Sequence, residues 1–258
     1  MNILIVGAGY VGLPLAVAFS KSLKVDCYDI NKDRIQELKN GIDKNKQEGG
    51  NLINKNLNFI NQLDIKNNYK FIIITVPTPI NEDKTPDLEP LIASSRLVGS
   101  KIKKGSIVIY ESTVYPGVTD DICTPILEEK SKLIFNEDFS TGYSPERIVP
   151  GDKISTIETI TKVVSASNKD ALNVISFLYS SIIDAGIHQA SSIKVAEAAK
   201  VSENIQRDVN IALINEMHQL FTSLGISSLD VIEAASTKWN FMKLTPGLVG
   251  GHCISIDP

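Results

Sequence analysis

The chain begins with Asn2-Ile3-Leu4-Ile5-Val6-Gly7-Ala8-Gly9-Tyr10-Val11-Gly12, and this stretch decides the fold. Its first part, Asn2–Val6, is a short apolar run without alternation, which is typical of a parallel strand covered on both faces. The glycines follow at once with GxGxxG spacing, and residues 13–19 continue with apolar side chains at helical spacing. A glycine turn between a strand and a helix lets the backbone approach a phosphate group at the helix N-terminus.

GxGxxG spacing alone is weak evidence, but the next segment supplies the context of a dinucleotide site. A second strand is predicted at residues 24–28 and ends at Asp29, 17 positions after Gly12. An acid there accepts hydrogen bonds from ribose hydroxyls and repels a 2′-phosphate, so NAD is favoured over NADP. Asp29 can also be the N-cap of the next helix, and Arg34 can lie along the adenine or be solvated. The expected cofactor contacts here are Gly7, Gly9, Tyr10, Val11, Gly12, Asp29, Ile30 and Arg34.

Strands and helices alternate further along, which predicts an α/β fold with a doubly wound parallel sheet. The predicted strands are residues 71–76, 106–111, 159–165 and 186–189, the last at an edge, and the predicted helices are 87–102, about 118–129 and 169–180. Residues 40–68 and 141–152 are predicted to be loops, the second dense in Pro and Gly. The strand at 71–76 ends in Pro77-Thr78-Pro79, and ligands lie at this edge of such sheets, so Pro77 and Thr78 join the expected cofactor contacts.

Residues 192–224 contain no Gly or Pro, and apolar residues recur there with a helical period. They predict a helix on the order of 50 Å long, which links domains or forms a dimer surface. A shorter helix is predicted at 228–236. We therefore expect an N-terminal Rossmann-like domain, residues 1–190, followed by the long central helix and a small helical domain, residues 191–258. Lys200 and Asn204 share one helical face, and in isolation they would be interpreted as solvated.

The bulk properties exclude several classes of function. The net charge of −4 and pI near 5.5 give no electrostatic footprint for nucleic acid or an anionic membrane. The three cysteines are far apart and form no CxxC pair, so we expect neither a disulfide framework nor a metal site, and a reducing cytoplasm fits best.

The last residues, Val249-Gly250-Gly251-His252-Cys253-Ile254-Ser255-Ile256-Asp257-Pro258, place a thiol two positions after a pair of glycines and a carboxylate four positions after the thiol. A cysteine so placed is either a nucleophile or a small apolar residue in a turn. Because Cys is among the most buried residue types, its own neighbourhood does not decide between the two.

Six motifs in order resemble the UDP-glucose/GDP-mannose dehydrogenase family over essentially the whole chain. They are the GxGxxG start, Val76-Pro77-Thr78-Pro79, Glu111-Ser112-Thr113-Val114, Ser144-Pro145-Glu146, Lys200 with Asn204, and the Gly-Gly-x-Cys loop with Asp257. Within the family the chain looks like the UDP-N-acetylhexosamine branch, which supplies uronic acids for capsules and O-antigens. The UDP-glucose branch tends to carry a second Glu where this chain has Pro150, and Ser where it has His252.

The resemblance implies a four-electron oxidation of a sugar C6 alcohol to a carboxylate, with NAD as the cofactor. Cys253 would attack the C6 aldehyde and carry the thiohemiacetal and thioester, and Lys200 would favour its thiolate. Lys200 and Asn204 would stabilise negative charge on the substrate oxygen. The implied catalytic residues are Cys253, Lys200, Asn204, Asp257 as base or water-orienting group, Glu146 at the hydrolytic water, and Thr113 between nicotinamide and sugar. The implied substrate contacts are Glu146, Arg147, Lys200, Asn204 and Gly250.

The resemblance also implies a C-terminal UDP-binding domain that lies beyond these 258 residues. We expect this chain to bind NAD, to form a homodimer through its central helix, and to oxidise a UDP-sugar weakly or not at all, because much of the substrate's binding energy would be missing. Three alternatives remain open at this point. The chain can be a UDP-glucose 6-dehydrogenase, a dehydrogenase of the 6-phosphogluconate or hydroxyisobutyrate type, or a NAD-binding dimeric scaffold that is not an enzyme.

Overall fold

The computed structural model describes residues 2–45, 52–64, 68–148 and 156–248. The chain divides into two compact units, residues 1–198 and 199–258. The described strands are β1 Asn2–Val6, β2 Lys24–Tyr28, β3 Leu57–Ile60, β4 Phe71–Ile74, β5 Ile107–Tyr110, β6 Ser140–Tyr143, β7 Lys162–Ala166 and β8 Ile187–Gln189. The described helices are α1 Gly12–Ser20, α2 Lys32–Lys39, α3 Glu89–Gly99, α4 Thr124–Ser131, α5 Lys169–Ser180, α6 Ile193–Ser223 and α7 Ser228–Ala235, and a π-helical turn, Val118–Cys123, precedes α4.

The strands of the first unit form one sheet with the order β3-β2-β1-β4-β5-β6-β7-β8. All neighbouring strands pair in parallel except β6 and β7, which are antiparallel. The described part of the connection between β6 and β7 contains no helix, and an antiparallel pair needs no crossover helix. The α/β fold with a doubly wound sheet is therefore confirmed, with one reversal near its β8 edge.

The core consists of two apolar layers, one on each face of the sheet. Side chains alternate between the layers along each central strand, so that Ile3 and Ile5 of β1 belong to one layer and Leu4 and Val6 to the other. Residues of α1, α2 and α5 complete the first layer, and residues of α3, α4 and the beginning of α6 complete the second. Burial on both faces explains why the central strands are continuous apolar runs.

Two strands lie in segments that were predicted to be loops. β3 buries only Leu57 and Phe59, which is too short a pattern to separate from its polar surroundings. β6 has the sequence Ser-Thr-Gly-Tyr, and a Cβ on Gly142 would lie 2.4 Å from Ile175 Cδ1 of α5. Pairing with neighbouring strands stabilises both strands although their local preference is weak, and α5 packs closely against β6. Strand propensity depends strongly on such context.

Candidate functional site

The glycine turn joins β1 to α1 in a conformation that only glycine suits. Gly7 has φ of 106°, and a Cβ on Gly12 would lie 1.8 Å from the carbonyl oxygen of Gly7. Among the described residues, no atom lies within 4 Å of a Cβ position on Gly9, so these residues leave open space beside it. None of their side chains caps the N-terminus of α1. The turn therefore presents backbone amides and free space to an anionic group.

Asp29 lies beside this turn, at the end of β2. Its Oδ2 accepts a hydrogen bond from the Ala8 amide at 2.8 Å, and its Oδ1 accepts one from the Asn31 amide at 2.8 Å. The N-cap of α2 is Asn31, whose side chain accepts from the Asp33 and Arg34 amides, so Asp29 is not the N-cap. Its carboxylate is half-buried and fixed against the turn.

Arg34 is not simply solvated. Its Nε donates to the carbonyl oxygen of Ala8 at 3.1 Å, and its Nη2 lies 2.8 Å from Asp43 Oδ1. Glu37 binds the other guanidinium nitrogen at 2.5 Å. Arg34 is therefore fixed beside the glycine turn by two carboxylates and a carbonyl group. The exposed side chains of Tyr10 and Ile30 lie in the same part of the fold, and Val11 is half-buried.

The segments after β4 and β5 are tied to each other at the carboxyl edge of the sheet. Thr78 Oγ1 donates to the carbonyl oxygen of Thr113 at 2.7 Å, and Ser112 Oγ donates to that of Val76 at 2.6 Å. Pro77 is exposed, and Thr78 and Thr113 are half-buried. The structure thus brings together the two segments that were predicted to contact the cofactor from this edge.

Glu146, which follows β6, belongs to a buried ionic cluster that includes residues the sequence did not indicate. Lys162 Nζ lies 2.9 Å from Glu146 Oε2 and 2.8 Å from Glu111 Oε2. Tyr179 of α5 donates its hydroxyl hydrogen to Glu111 Oε1. The side chains of Lys162, Glu111 and Glu146 are 4%, 0% and 10% exposed. Without structural context, Glu146 and Arg147 would be interpreted as an exposed ion pair; that interpretation is wrong, because Glu146 is paired with a buried lysine.

Burial and ion pairing shift the pKa values of the groups in this cluster in different directions. Burial raises the pKa of Glu111 to about 7, against the attraction of Lys162. Burial also opposes ionisation of Glu146, but Lys162 and the Arg147 and Ile148 amides outweigh it and lower the pKa of that carboxyl. Burial opposes the charge on Lys162, and the two carboxylates outweigh it and raise its pKa. Glu146 is thus the stable carboxylate, and Glu111 is the group that titrates near neutrality.

Glu197 is a second buried acid that the sequence did not indicate. It lies in the first turns of α6, within the first unit, and accepts hydrogen bonds from the Gly117 amide at 2.6 Å and the Thr119 amide at 3.0 Å. Burial raises the pKa of Glu197, against these two amides. The contact fixes the beginning of α6 to the turn that follows β5.

The second unit contains Lys200 and Asn204, one helical turn apart on α6. Lys200 is 8% exposed and Asn204 is 4% exposed, so interpreting the pair as solvated is wrong. Arg207 Nη2 lies 3.5 Å from Asn204 Oδ1. Three predicted site residues, Gly250, Cys253 and Asp257, lie outside the described residues, and their predicted roles stay predictions.

Among the helices of the described residues, none has an apolar stretch of the length that a membrane span requires. Among the same residues, no group of three or more His, Cys, Asp or Glu side chains has an arrangement that could hold a metal ion.

A strand, a glycine turn, a helix and an acid at the end of the second strand define a dinucleotide-binding protein of the Rossmann class. Residues 1–183 match the UDP-glucose/GDP-mannose dehydrogenase family's NAD-binding domain, and residues 194–258 match the same family's central domain. The chain belongs to the UDP-glucose/GDP-mannose dehydrogenase family. The prediction of NAD as the cofactor is thereby confirmed.

Relatives in sequence and structure agree with this family. Protein CapL of Staphylococcus aureus is 54% identical over 258 residues, which are 100% of this chain and 61% of CapL. The UDP-N-acetyl-D-glucosamine 6-dehydrogenase of Pseudomonas aeruginosa is 54% identical over 260 residues, covering 100% of this chain and 62% of the relative. The solved UDP-D-ManNAc dehydrogenase of Pyrococcus horikoshii is 31% identical with a TM-score of 0.93, covering 100% of this chain and 63% of that structure. The chain therefore spans less than two thirds of the length of each.

Proposed function

We propose that this chain is the NAD-binding and central part of a UDP-N-acetylhexosamine 6-dehydrogenase. The reaction converts the C6 alcohol, two NAD⁺ and one water into a carboxylate, two NADH and three protons. The observation that carries the proposal is 54% identity over the whole chain to a relative named UDP-N-acetyl-D-glucosamine 6-dehydrogenase. We propose capsule or O-antigen polysaccharide synthesis as the use of the product.

NAD fits the residues around the glycine turn. The open space beside Gly9 and the uncapped N-terminus of α1 suit a pyrophosphate, and the Asp29 carboxylate suits the adenosine ribose hydroxyls. Arg34 is already neutralised by Glu37 and Asp43, so it offers little attraction to a 2′-phosphate. When bound, NAD would supply the hydride acceptor for each of the two oxidations. Pro77, Thr78 and Thr113 would contact it at the carboxyl edge of the sheet.

The sugar chemistry is assigned to the residues that the family resemblance implies. Asp257 deprotonates the alcohol or orients water, and Lys200 and Asn204 stabilise the negative charge on the sugar oxygen. The Cys253 thiolate adds to the aldehyde carbon, the thiohemiacetal is oxidised to a thioester, and water releases the carboxylate and regenerates the thiol. Glu146 holds that water through a hydrogen bond. Arg147 and Gly250 are proposed to contact the substrate.

A direct test uses this chain joined at residue 258 to the remaining part of the Pseudomonas aeruginosa relative. NADH formation is followed with UDP-N-acetylglucosamine, UDP-N-acetylgalactosamine and UDP-glucose in parallel. We expect two NADH per sugar, and a kcat/KM for the better N-acetylhexosamine at least about tenfold above that for UDP-glucose. Preference for UDP-glucose would move the proposal to the UDP-glucose branch. The 258-residue chain alone should bind NAD and oxidise little.

Cysteine chemistry separates the remaining alternatives. In the joined protein, Cys253→Ser should trap a covalent ester or stop at the aldehyde, detected by mass spectrometry of protein and sugar. A dehydrogenase without a covalent intermediate would keep its full rate. A scaffold that is not an enzyme would leave Cys253 no more reactive to iodoacetamide than Cys27 and Cys123, which are buried free thiols. These two thiols support the proposal of a cytoplasmic location.

We propose a homodimer through α6. Apolar side chains on this helix are exposed at positions that share one face, and they are Ile205, Val209, Leu213 and Leu220. Leu224, which directly follows the helix, is exposed as well. An exposed apolar stripe of this length is typical of an interface between proteins. The helix of 31 residues is about 46 Å long, which is enough for a self-complementary contact.

The oligomeric state of the 258-residue chain tests this directly. The double variant Val209→Glu with Leu213→Glu should change a dimer to a monomer in size-exclusion chromatography with light scattering. The matched control is Phe177→Glu, because Phe177 is an exposed apolar residue of α5 in the first unit. A wild-type monomer, or an unchanged dimer in the double variant, would contradict the proposed interface.

A further inference from the structure

Four side chains, Glu111, Glu146, Lys162 and Tyr179, form what we call the Lys162 cluster, and the proposed reaction uses only Glu146. One ammonium group lies between two carboxylates, with Nζ–O distances of 2.8 and 2.9 Å. The same ammonium lies 5.3 Å from the centre of the Tyr179 ring. All four residues belong to the first unit. The Lys162 side chain is only 4% exposed, so bulk water does not replace either carboxylate as its partner.

The two carboxylates of the cluster differ in their capacity to accept a further hydrogen bond. Glu146 Oε1 accepts from the Arg147 amide at 2.6 Å and the Ile148 amide at 2.8 Å, and its Oε2 accepts from Lys162. A carboxylate has about four acceptor positions, so with three donors among the described residues one position remains on Glu146, whose side chain is 10% exposed. Glu111 is fully buried, and its partners are Lys162 and the Tyr179 hydroxyl. Glu146 is rigid and open to one further donor, whereas Glu111 is closed.

We propose that Lys162 is a positioning residue for Glu146, and that Glu111 sets the strength of the hydrogen bond between Lys162 and Glu146 by competing for the same ammonium group. The inference rests on the proposed function for the role of Glu146 at the hydrolytic water. When Glu111 is protonated, the ammonium is left to Glu146 and the cluster is neutral. When Glu111 is ionised, two carboxylates share one cation and the cluster has a net charge of −1.

The surroundings of Glu111 agree with this competition. The titratable groups that face it are Lys162 of β7, Tyr179 of α5 and Glu146 after β6. Burial raises the pKa of Glu111, Lys162 lowers it and Glu146 raises it, which is the pattern expected for two acids that share one base. Burial and the charge of Glu111 raise the pKa of Tyr179, so the tyrosine stays a neutral donor. Glu111 is then the member that changes charge near neutrality.

The proposal has a consequence for the hydrolysis step. As the pH rises through neutrality, ionised Glu111 draws Lys162 away from Glu146. The hydrogen bond that the water donates to Glu146 would then be less well oriented, although Glu111 itself does not contact substrate. We therefore expect a change in the rate of thioester hydrolysis near pH 7 that depends on Glu111.

The test is carbon NMR of the 258-residue chain with labelled glutamate carboxyl carbons, titrated between about pH 5 and pH 9. One carboxyl should titrate near pH 7, and its signal should be absent in Glu111→Gln. Glu146→Gln should lower that midpoint by at least about half a pH unit, because Lys162 is then left to Glu111. Lys162→Met should raise it by at least as much. By linkage, the ionisation of Glu146 changes the pKa of Glu111 by the same amount as the ionisation of Glu111 changes the pKa of Glu146.

The control is Asp121→Asn, which removes an exposed carboxylate paired with Lys194 and should leave the midpoint unchanged. An unchanged Glu111 midpoint in Glu146→Gln would overturn the proposal. Should Lys162→Met fail to fold, Glu146→Gln decides alone, since it keeps the pair of Glu111 and Lys162. In the joined protein, Glu111→Gln should remove the change in rate near pH 7. If the joined wild type oxidises no UDP-sugar, the proposed function fails, while the NMR coupling still decides whether the cluster acts as proposed.

Discussion

Two carboxylates lie at equivalent points of the sheet, each directly after a tyrosine that ends a strand. Asp29 follows β2, is half-buried, and accepts hydrogen bonds from two backbone amides. Glu111 follows β5, is fully buried, and its side-chain partners Lys162 and Tyr179 are 51 and 68 residues further along the chain. The amides hold Asp29 without removing it from water, so its charge stays available to a ligand. Among the described residues, the charge of Glu111 interacts with the side chains of Lys162, Glu146 and Tyr179.

The largest expected effect comes from removing the cation beside Glu111. Lys162→Met leaves two carboxylates without their buried partner, and breaking a buried ion pair in this way costs about 3–5 kcal/mol. Urea unfolding of the 258-residue chain at pH 7 measures the change in free energy. The matched control is Lys194→Met, whose exposed pair with Asp121 should contribute less than about 1 kcal/mol. Equal losses in the two variants would mean that the Lys162 cluster is no stronger than a surface pair.

The pH dependence of stability should distinguish Glu111 from an acid that stays in water. Its folded pKa of about 7 lies above the usual glutamate value of 4.5. The stability that the group contributes is therefore fully present below about pH 4.5 and is lost as the pH rises through 7. The difference between these pKa values corresponds to about 3 kcal/mol. Glu111→Gln should remove this part of the pH dependence.

Urea unfolding at several pH values between about 5 and 8 measures this effect. The wild type should lose stability relative to Glu111→Gln across that range. If the free energies of unfolding of the two proteins remain parallel, Glu111 is ionised throughout and does not take up a proton near neutrality.

The same contrast explains what could be predicted from the sequence. The glycine turn and Asp29 are encoded within about thirty residues, with spacing set by the geometry of strand, turn and helix. Lys162 and Glu197 follow no local pattern, because Lys162 contacts Glu111, 51 positions away, and Glu197 contacts Gly117, 80 positions away. A lysine that begins an apolar strand would normally be solvated, and β6, which brings Glu146 to it, was predicted to be a loop. The available signal was a charged residue at the end of a buried strand: Glu111 directly follows β5, and Lys162 begins β7.

A third prediction concerns the backbone around Asp29. Gly12→Ala places a Cβ 1.8 Å from the Gly7 carbonyl oxygen and 2.4 Å from Thr75 Oγ1, so the turn must move. We expect a loss of about 2 kcal/mol in unfolding free energy and loss of NAD binding. Gly9→Ala is the control, because nothing lies within 4 Å of its Cβ position. It should keep stability within about 1 kcal/mol and still weaken NAD binding, measured by calorimetry. A stable Gly12→Ala variant would contradict the close approach.

The smallest expected effect on stability belongs to Asp29 itself. In Asp29→Asn only one side-chain oxygen remains to accept a hydrogen bond, so one of the amides of Ala8 and Asn31 loses its partner. A neutral hydrogen bond contributes about 1 kcal/mol, and we expect that loss in urea unfolding. The binding effect should be larger, with NAD affinity falling about tenfold and the preference over NADP reduced, because the charge beside the ribose is gone.

Asp33→Asn is the matched control, since Asp33 is an exposed acid in the first turn of α2. It changes the net charge by the same amount, and it should leave the ratio of NAD to NADP affinity unchanged. If both variants reduce NAD affinity equally, the effect is one of overall charge and Asp29 has no specific contact with the ribose. A change confined to Asp29→Asn would mean that an acid held by backbone amides selects the ligand, whereas the buried acid of the Lys162 cluster acts only on its neighbours.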